Sequence, residues 1–177
     1  IMIYLYHRIP LNMTGNILYP LNEIKDKYPE IYEQQLLKYV GREKLLKHKI
    51  PILDCLWNDV LHLSAVHPGQ IKKSLAEAGD KKEFKLRYYQ IDPNLLTPES
   101  TIVYLYAHVD VKDKLEGKNF VPYAANDAVK YSILPQATKD YYKEIIEKGG
   151  RPLLYHRIPH ILYRGILDVT ELPVISV

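Results

Sequence analysis

Two identical hexapeptides place a histidine beside an arginine near both ends of this chain. Residues 5–10 and 154–159 both read Leu-Tyr-His-Arg-Ile-Pro. A guanidinium group binds phosphate or carboxylate through a fork of donors, and an imidazole transfers protons or hydrogen-bonds to a sugar hydroxyl near neutral pH. These side chains are the first candidates for chemistry: His7 and His156 for catalysis, and Arg8 and Arg157 for ligand binding.

Strand geometry limits what each copy of the hexapeptide presents to a cleft. Neighbouring side chains of an extended strand point to opposite faces, so a copy offers its histidine or its arginine but seldom both. We predict that the copies are neighbouring strands of one sheet, with His7 and His156 on one face. Two alternatives stay open, namely unrelated strands that use the same side chains in similar surroundings, and coincidence.

A second polar set lies in the mostly apolar stretch 51–66. We predict one long strand or a bent pair there, with a turn or bulge at Asn58 and Asp59. Asp59 would orient His62 across that turn, which makes Asn58, Asp59 and His62 ligand-binding candidates. The alternative is that Asn58 and Asp59 only form the turn. The spacing matches no established zinc pattern, so we predict no metal site.

A third set of polar residues contains Arg42 and His160. Arg42 follows Tyr39 and is more simply explained as a surface charge on a short helix. His160 begins a predicted strand over residues 160–169. Tyr163, Arg164 and Gly165 belong to the same set, and Gly165 indicates a bulge or a close backbone approach.

The elements that position these residues are strands and helices in mixed order. Residues 102–109 alternate with period two and place Ile102, Tyr104 and Tyr106 on one face of a strand, and a charged turn or short helix follows over 111–117. Strict βαβ alternation and a glycine-rich nucleotide loop are both missing. We therefore predict an α+β fold with a mixed, largely antiparallel sheet, several helices in the first half, and a single domain over residues 1–177.

Composition sets the broad class of the protein. The 177 residues are 47% hydrophobic and 25% charged, which is typical of a globular chain with a sizeable core. Sixteen tyrosines indicate a polar-lined cleft, a large interface or a compositional habit. Cys55 is the only cysteine, which excludes an internal disulfide. The chain has no apolar run of spanning length, so we expect a cytoplasmic protein, or an exported effector without a classical signal.

The first strand, residues 3–8, resembles the opening strand of ADP-ribosyltransferase-like bacterial proteins, and the short phrases at residues 87–93 and 163–165 also resemble such proteins. The resemblance as a whole covers about a quarter of the chain. The resemblance implies NAD as the cofactor, with His7 or Arg8 at the ribose-binding position. It also implies a tyrosine stacked on the nicotinamide and a late glutamate at the reacting centre. The residues that fit these two roles in this chain are Tyr104 or Tyr106, and Glu171.

The expected function combines these observations. We expect a Tyr/His/Arg-lined cleft for an anionic or nucleotide-like ligand, with NAD-dependent ADP-ribosyl transfer as the activity that the resemblance implies. The alternative is a non-catalytic binding or interaction protein that uses a tyrosine-rich surface. The expected partner is a small anionic molecule; nucleic acid and a homo-oligomer stay open, and no membrane partner is expected.

Overall fold

The chain folds into an α+β structure built on antiparallel sheets, as predicted. The computed structural model describes residues 1–83, 85–106 and 117–177. The strands in chain order are β1 (Leu5–Arg8), β2 (Ile17–Leu18), β3 (Lys49–Ile50), β4 (Cys55–Leu56), β5 (Leu61–Leu63), β6 (Arg87–Ile91), β7 (Thr101–Tyr104), β8 (Phe120–Pro122), β9 (His160–Tyr163), β10 (Leu167–Asp168) and β11 (Val174–Ser176).

The α-helices are mostly in the first half of the chain. They are α1 (Leu21–Lys27), α2 (Pro29–Leu36), α3 (Pro68–Glu77) and α4 (Gln136–Glu147). Prolines begin α2 and α3 because their missing N–H would have no helical partner at that position. Short 3₁₀ helices connect the other elements, including Leu37–Tyr39, Glu43–Lys47 and Trp57–Asp59. Among the described residues, no helix is both long enough and apolar enough to cross a bilayer.

Two sheets carry most of the strand structure. A three-stranded sheet has the order β1-β6-β11, and a four-stranded sheet has the order β5-β9-β7-β8. Every described pairing is antiparallel, so the described sheets contain no parallel pair. Tyr6 and Ser64 exchange backbone hydrogen bonds of 2.8 and 3.1 Å, which join β1 to the end of β5.

The alternation of side chains along the four-stranded sheet gives it two different faces. One face packs against the three-stranded sheet, where Leu5 and Ile91 meet Leu63, Val103 and Ile161 in a single core cluster. The opposite face carries His62, His160 and Tyr104, and residues 37–56 cover it. Because the side-chain period of a strand is two, the apolar face and the polar aromatic face follow from the same register.

The bent pair predicted for residues 51–66 is present. β4 and β5 are separated by the 3₁₀ helix Trp57–Asp59, which supplies the predicted turn at Asn58 and Asp59. Cys55 is buried beneath it, and burial raises the pKa of its thiol, as expected for a small core residue. The predicted strand over 102–109 ends at Tyr104; residues 107–109, the charged segment 111–116 and Phe84 lie outside the described residues.

The strand prediction for the second hexapeptide is wrong. Residues 154–157 form a turn, whereas the first hexapeptide forms β1 as predicted. Helix α4 explains the difference, because its side chains bind the backbone that a neighbouring strand would otherwise bind. The Thr138 hydroxyl donates to the carbonyl of His156 at 2.9 Å, and the Tyr142 hydroxyl donates to the carbonyl of Leu154.

The two hexapeptides are therefore not neighbouring strands, and the predicted pairing of His7 with His156 on one sheet face is wrong. β1 pairs with β6 instead. The copies still approach each other through side chains, because the hydroxyl of Tyr155 donates to that of Tyr88 at 3.1 Å, and Tyr88 is the strand partner of Arg8.

Replacing Thr138 by valine should destabilise the fold. Thr138 is 0% exposed, so the change leaves the carbonyl of His156 without this donor inside the protein. We expect the free energy of unfolding, measured by urea denaturation, to fall by about 1–3 kcal/mol.

The control is Thr14→Val. The exposed Thr14 hydroxyl makes a comparable bond to the carbonyl of Asn12 at 3.2 Å, and its loss should change the same free energy by less than about 0.5 kcal/mol. Equal effects of the two substitutions would contradict a structural role for α4 in holding the turn.

Candidate functional site

One face of the four-stranded sheet brings histidine and tyrosine rings together. The rings of His62 on β5 and His160 on β9 lie 6.1 Å apart between centroids and are nearly perpendicular, at 89°. Tyr104 on β7 is the register partner of His160, and their ring centroids are 6.2 Å apart. Same-face residues on neighbouring antiparallel strands are close enough for such contacts. The sheet register therefore builds the site.

Trp57 holds His62 in place. Its ring centroid lies 4.7 Å from that of His62 and 6.0 Å from that of His160. The Trp57 carbonyl also accepts a hydrogen bond from Nε2 of His62 at 2.8 Å. A carbonyl only accepts, so Nε2 carries the proton in this arrangement. Trp57, which the sequence reasoning did not include among the site residues, thus sets both the position and the tautomer of His62.

Asn58 and Asp59 have local structural partners. The buried Asn58 accepts a hydrogen bond from the Tyr39 hydroxyl at 2.7 Å. The two carboxylate oxygens of Asp59 accept from the Leu56 N–H and from the Asn22 side chain, both at 2.7 Å. These contacts match the alternative in which both residues form the turn, and the Trp57 carbonyl, not Asp59, orients His62. A ligand-binding role for Asn58 and Asp59 stays a prediction.

Tyr106 and Tyr141 connect the second hexapeptide to these rings. Tyr106 stacks on His160 with centroids 5.5 Å apart and planes at 27°, and its hydroxyl lies 3.2 Å from Nδ1 of His156 at hydrogen-bonding distance. The ring of Tyr141 on α4 lies 4.2 Å from that of His156. We call the assembled set the ring cluster: Trp57, His62, Tyr104, Tyr106, Tyr141, His156 and His160.

Two residues at the edge of the ring cluster have backbone angles in the left-handed region. The φ angle is 57° at Tyr106 and 62° at Arg157. That conformation costs roughly 1–2 kcal/mol for a residue with a Cβ, and such residues occur disproportionately at functional sites. Tyr106 is itself a ring of the cluster and lies two residues beyond the end of β7, and Arg157 directly follows the cluster residue His156.

The charges of three cations reach the ring cluster: Lys38 lowers the pKa of His62, and Arg42 and Arg157 lower that of Tyr106. Lys38 and Arg42 lie over the Tyr39 ring at 5.4 and 5.6 Å from its centroid. Lys38 has an exposed side chain, yet crowding around its ammonium group lowers its pKa, and the charges of Arg42 and Arg8 lower it further.

The same cations affect the pKa values of nearby tyrosine hydroxyls. Burial raises the pKa of Tyr106, and the charges of Arg42 and Arg157 oppose that rise. Burial likewise raises the pKa of Tyr88, which its hydrogen bond with Tyr155 and the charge of Arg8 oppose. This positive field favours an anion beside the rings.

His7, His62 and His160 are neutral at neutral pH. Burial lowers the pKa of His62 to about 3, and the neighbouring His160 contributes to that shift. Burial also lowers the pKa of His160 and His7 to about 4, although hydrogen bonds to the backbone of Tyr155 and Arg8 oppose it. They act in this state as hydrogen-bonding and stacking groups, while the arginines and Lys38 supply the positive charge.

His7 lies beside the ring cluster but is not one of its members. It is half-buried on β1, and its Nδ1 hydrogen-bonds to the carbonyl of Arg8 at 2.8 Å. His7 and Lys38 are both near enough to lower the pKa of His62 slightly. The structure thus places the two predicted catalytic histidines, His7 on β1 and His156 in the turn at 154–157, on different elements that both lie near the sheet histidines: His7 acts on His62, and His156 acts on His160.

Glu171 is separate from this arrangement. It is exposed in a turn between β10 and β11. Among the described residues, none of the ring contacts and hydrogen bonds that build the cluster involves Glu171. Its role as the late glutamate stays a prediction that the resemblance alone supports.

The described residues show no metal-binding cluster, and two surface cavities do not include the ring cluster. In the ranges 1–83, 85–106 and 117–177, no group of three or more histidine, cysteine, aspartate or glutamate side chains is arranged to hold a metal ion. Two surface cavities lie away from the ring cluster, one lined by Lys72, Leu75 and Asp80 and the other by Ile1 and Asp92. Contacting rings of the cluster lie 4.2–6.2 Å apart between centroids, which is about the range of packed aromatic pairs.

Several members of the site were missed because their signal is tertiary. Trp57 and Tyr141 have no sequence spacing to a histidine that indicates contact, and Lys38 belongs to a mixed charge run. His160 was the member most accessible to prediction, since a strand at 160–163 paired with β7 places it opposite Tyr104. Comparisons with protein-family models, with curated proteins and with solved structures found no match to this chain.

The lowered histidine pKa values predict acid destabilisation. His7, His62 and His160 take up protons in the unfolded chain near pH 6.5 but in the folded protein only near pH 3–4. The unfolded state therefore binds more protons as the pH falls below about 6.5. The free energy of unfolding, measured in urea, should fall by up to about 1.4 kcal/mol per pH unit for each group.

Nuclear magnetic resonance checks the same prediction ring by ring. The imidazole resonances of these three histidines should stay in their neutral positions at pH 5, where a histidine in a short peptide is protonated. Ring titrations centred near pH 6.5 would contradict the burial argument.

Glycine substitution at Arg157 should test the backbone strain. Removing the Cβ relieves a left-handed conformation that costs roughly 1–2 kcal/mol, so Arg157→Gly should have a higher free energy of unfolding than Arg157→Ala by about 1 kcal/mol. Both variants lack the guanidinium, so their difference isolates the backbone.

The matched control is Lys143, an exposed residue within α4. There glycine should be less stable than alanine by about 1 kcal/mol, because glycine is unfavourable inside a helix. The same order of stability at both positions would show that Arg157 is not strained.

Proposed function

We propose that the protein binds an anionic, nucleotide-like ligand at the ring cluster. One observation carries this proposal: stackable rings lie within reach of the positive charges of Lys38, Arg42 and Arg157. Aromatic rings bind the flat face of a base, and arginine and lysine bind phosphate. Either group alone is common on protein surfaces, whereas their combination matches both halves of a nucleotide.

The reachable part of the cluster would make the base contacts. Tyr106, Tyr141, His156 and Arg157 are all half-buried, so each keeps some surface in contact with solvent. A base would stack on this edge of the cluster because the interior is already filled by packed rings. Its phosphates would then lie against Arg157 and Arg42, which both act on the Tyr106 hydroxyl.

Neutral histidines suit the sugar part of such a ligand. A neutral imidazole has one donor and one acceptor nitrogen, so a ring whose N–H is bound to a backbone carbonyl can still accept a hydrogen bond from a hydroxyl. The His7 Nδ1 is already engaged by the Arg8 carbonyl, which leaves Nε2 as the ring atom for a ribose hydroxyl. This agrees with the ribose-binding position that the resemblance implies for His7, and it makes NAD the first ligand to test.

ADP-ribosyl transfer is the second candidate function. Its support is His7 beside a cluster that suits a dinucleotide, together with the resemblance of the first strand. Its weakness is the carboxylate: both oxygens of Asp59 have hydrogen-bond partners, and Glu171 is outside the ring cluster. Ligand binding without catalysis is therefore the proposal that we put first.

Calorimetry with the wild-type protein tests the binding proposal. ADP and NAD should bind, and adenosine should bind at least about tenfold more weakly, because it lacks the phosphates that make charge-assisted hydrogen bonds. Arg42→Gln and Arg157→Gln should each weaken ADP binding by about tenfold or more. Lys72→Gln, which removes an exposed cation on α3, is the matched control and should leave the affinity unchanged.

The outcomes separate the candidate functions. Binding of NAD without release of nicotinamide supports a binding protein, and release of nicotinamide supports transferase chemistry. If neither ADP nor NAD produces heat, the proposal fails. Concentration-dependent self-association would then favour the tyrosine-rich interaction surface and a homo-oligomer.

A further inference from the structure

The positive charge of the chain is concentrated in one short segment. The net charge of the whole chain is +3. Residues 37–49 contain four lysines, one arginine and one glutamate, a net charge of +4, so the rest of the chain has a net charge of −1. Charge segregation of this kind indicates a surface for an anionic partner.

Exposed aliphatic side chains lie among these cations. Leu37 is 70% exposed, Val40 is 71% exposed and Ile52 is 78% exposed. Their neighbours Tyr39 and Leu53 are each only 6% exposed and pack into the core cluster beneath. Residues 37–54, which we call the basic cover, thus bury one set of side chains and present the other on the outer surface. The cover also contains Asp54, which pairs with Lys49 at 3.4 Å, so its net charge is +3.

The conformation of Ile52 is unusual for its residue type. Its φ angle is 70°, in the left-handed region that a β-branched residue rarely adopts. The surrounding turn fixes it, because the Leu53 N–H donates to the Pro51 carbonyl at 2.8 Å and Arg164 donates to the Leu53 carbonyl at 2.7 Å. Because the Ile52 side chain faces solvent, no burial of apolar surface offsets the cost of this backbone conformation.

We propose that the basic cover docks on an anionic lipid bilayer. Leu37, Val40 and Ile52 would enter the boundary between headgroups and acyl chains, and the surrounding lysines would contact the lipid phosphates and carboxylates. The residue composition of the surface favours a lipid bilayer over a protein partner. Lysine is depleted at protein–protein interfaces, yet it supplies four of the five cations here.

Other occupants fit less well. A single-stranded nucleic acid is bound by stacking on aromatic rings, and protruding aliphatic side chains offer it nothing. A second copy of the chain would bring two positively charged segments together. The expectation of no membrane partner rested on the lack of a membrane-spanning segment in the sequence. A surface that docks on a membrane from outside needs no such segment, so that expectation does not conflict with this proposal.

Vesicle flotation with the full chain tests this proposal. The protein should float with vesicles of phosphatidylcholine and phosphatidylserine and should stay behind with vesicles of phosphatidylcholine alone. Raising the salt concentration should reduce flotation, because it screens the lysines. The nucleotide proposal is independent of this result, since ADP affinity is measured separately.

Two double variants test whether the basic cover contacts the vesicle. Leu37→Ser with Val40→Ser removes exposed aliphatic side chains. Lys47→Glu with Lys49→Glu reverses two charges and leaves the cations beside the ring cluster unchanged. Each double variant should lower vesicle partitioning by about tenfold or more.

The matched controls are Val129→Ser with Ile133→Ser and Lys72→Glu with Lys73→Glu, which change exposed residues elsewhere. They should leave partitioning within about twofold of wild type. Each of the four variants should unfold in urea in a single transition as the wild type does, which shows that they fold.

The proposal is overturned if anionic vesicles do not float the protein, or if a control pair reduces flotation as much as its test pair. Retention on polyglutamate or on single-stranded DNA without vesicle binding would also overturn it, because it would assign the surface to an acidic protein or a nucleic acid.

Discussion

The packing of imidazole and phenol rings on one face of the four-stranded sheet is the interaction on which the rest of the site depends. The register that places His160 opposite Tyr104 also places His62 one strand away on the same face. Trp57 then closes over His62 and His160, and this burial lowers the pKa of both imidazoles. The sheet therefore provides a neutral aromatic surface, and the positive charge comes from other elements.

The elements around this face are arranged by polar contacts between side chains and backbone. Helix α4 contributes the Thr138 hydroxyl to the carbonyl of His156 and the ring of Tyr141 to its imidazole. The left-handed backbones of Tyr106 and Arg157 are the conformational cost of this arrangement. Both strained positions lie at the ring cluster, and strained backbone conformations occur disproportionately at functional sites.

The basic cover has two roles that use different side chains. Its buried residues, including Tyr39 and Leu53, complete the core cluster under the ring face, so the cover is part of the fold. Its outer side chains supply most of the charge asymmetry of the chain. Lys38 and Arg42 lie at the boundary between the ring cluster and this outer surface, so a ligand at the cluster and a membrane at the cover would experience the same positive potential.

The sequence by itself determined the α+β class, the strand at β1 and the turn at Asn58 and Asp59, because side-chain periodicity and turn-forming residues act locally. Only the tertiary structure decided which secondary structure each copy of the hexapeptide adopts. The same six residues form a strand where β6 offers backbone partners and a turn where side chains of α4 take the carbonyls. Likewise no spacing joins His62, His156 and His160, since sheet register and a helix contact, both non-local, bring them together.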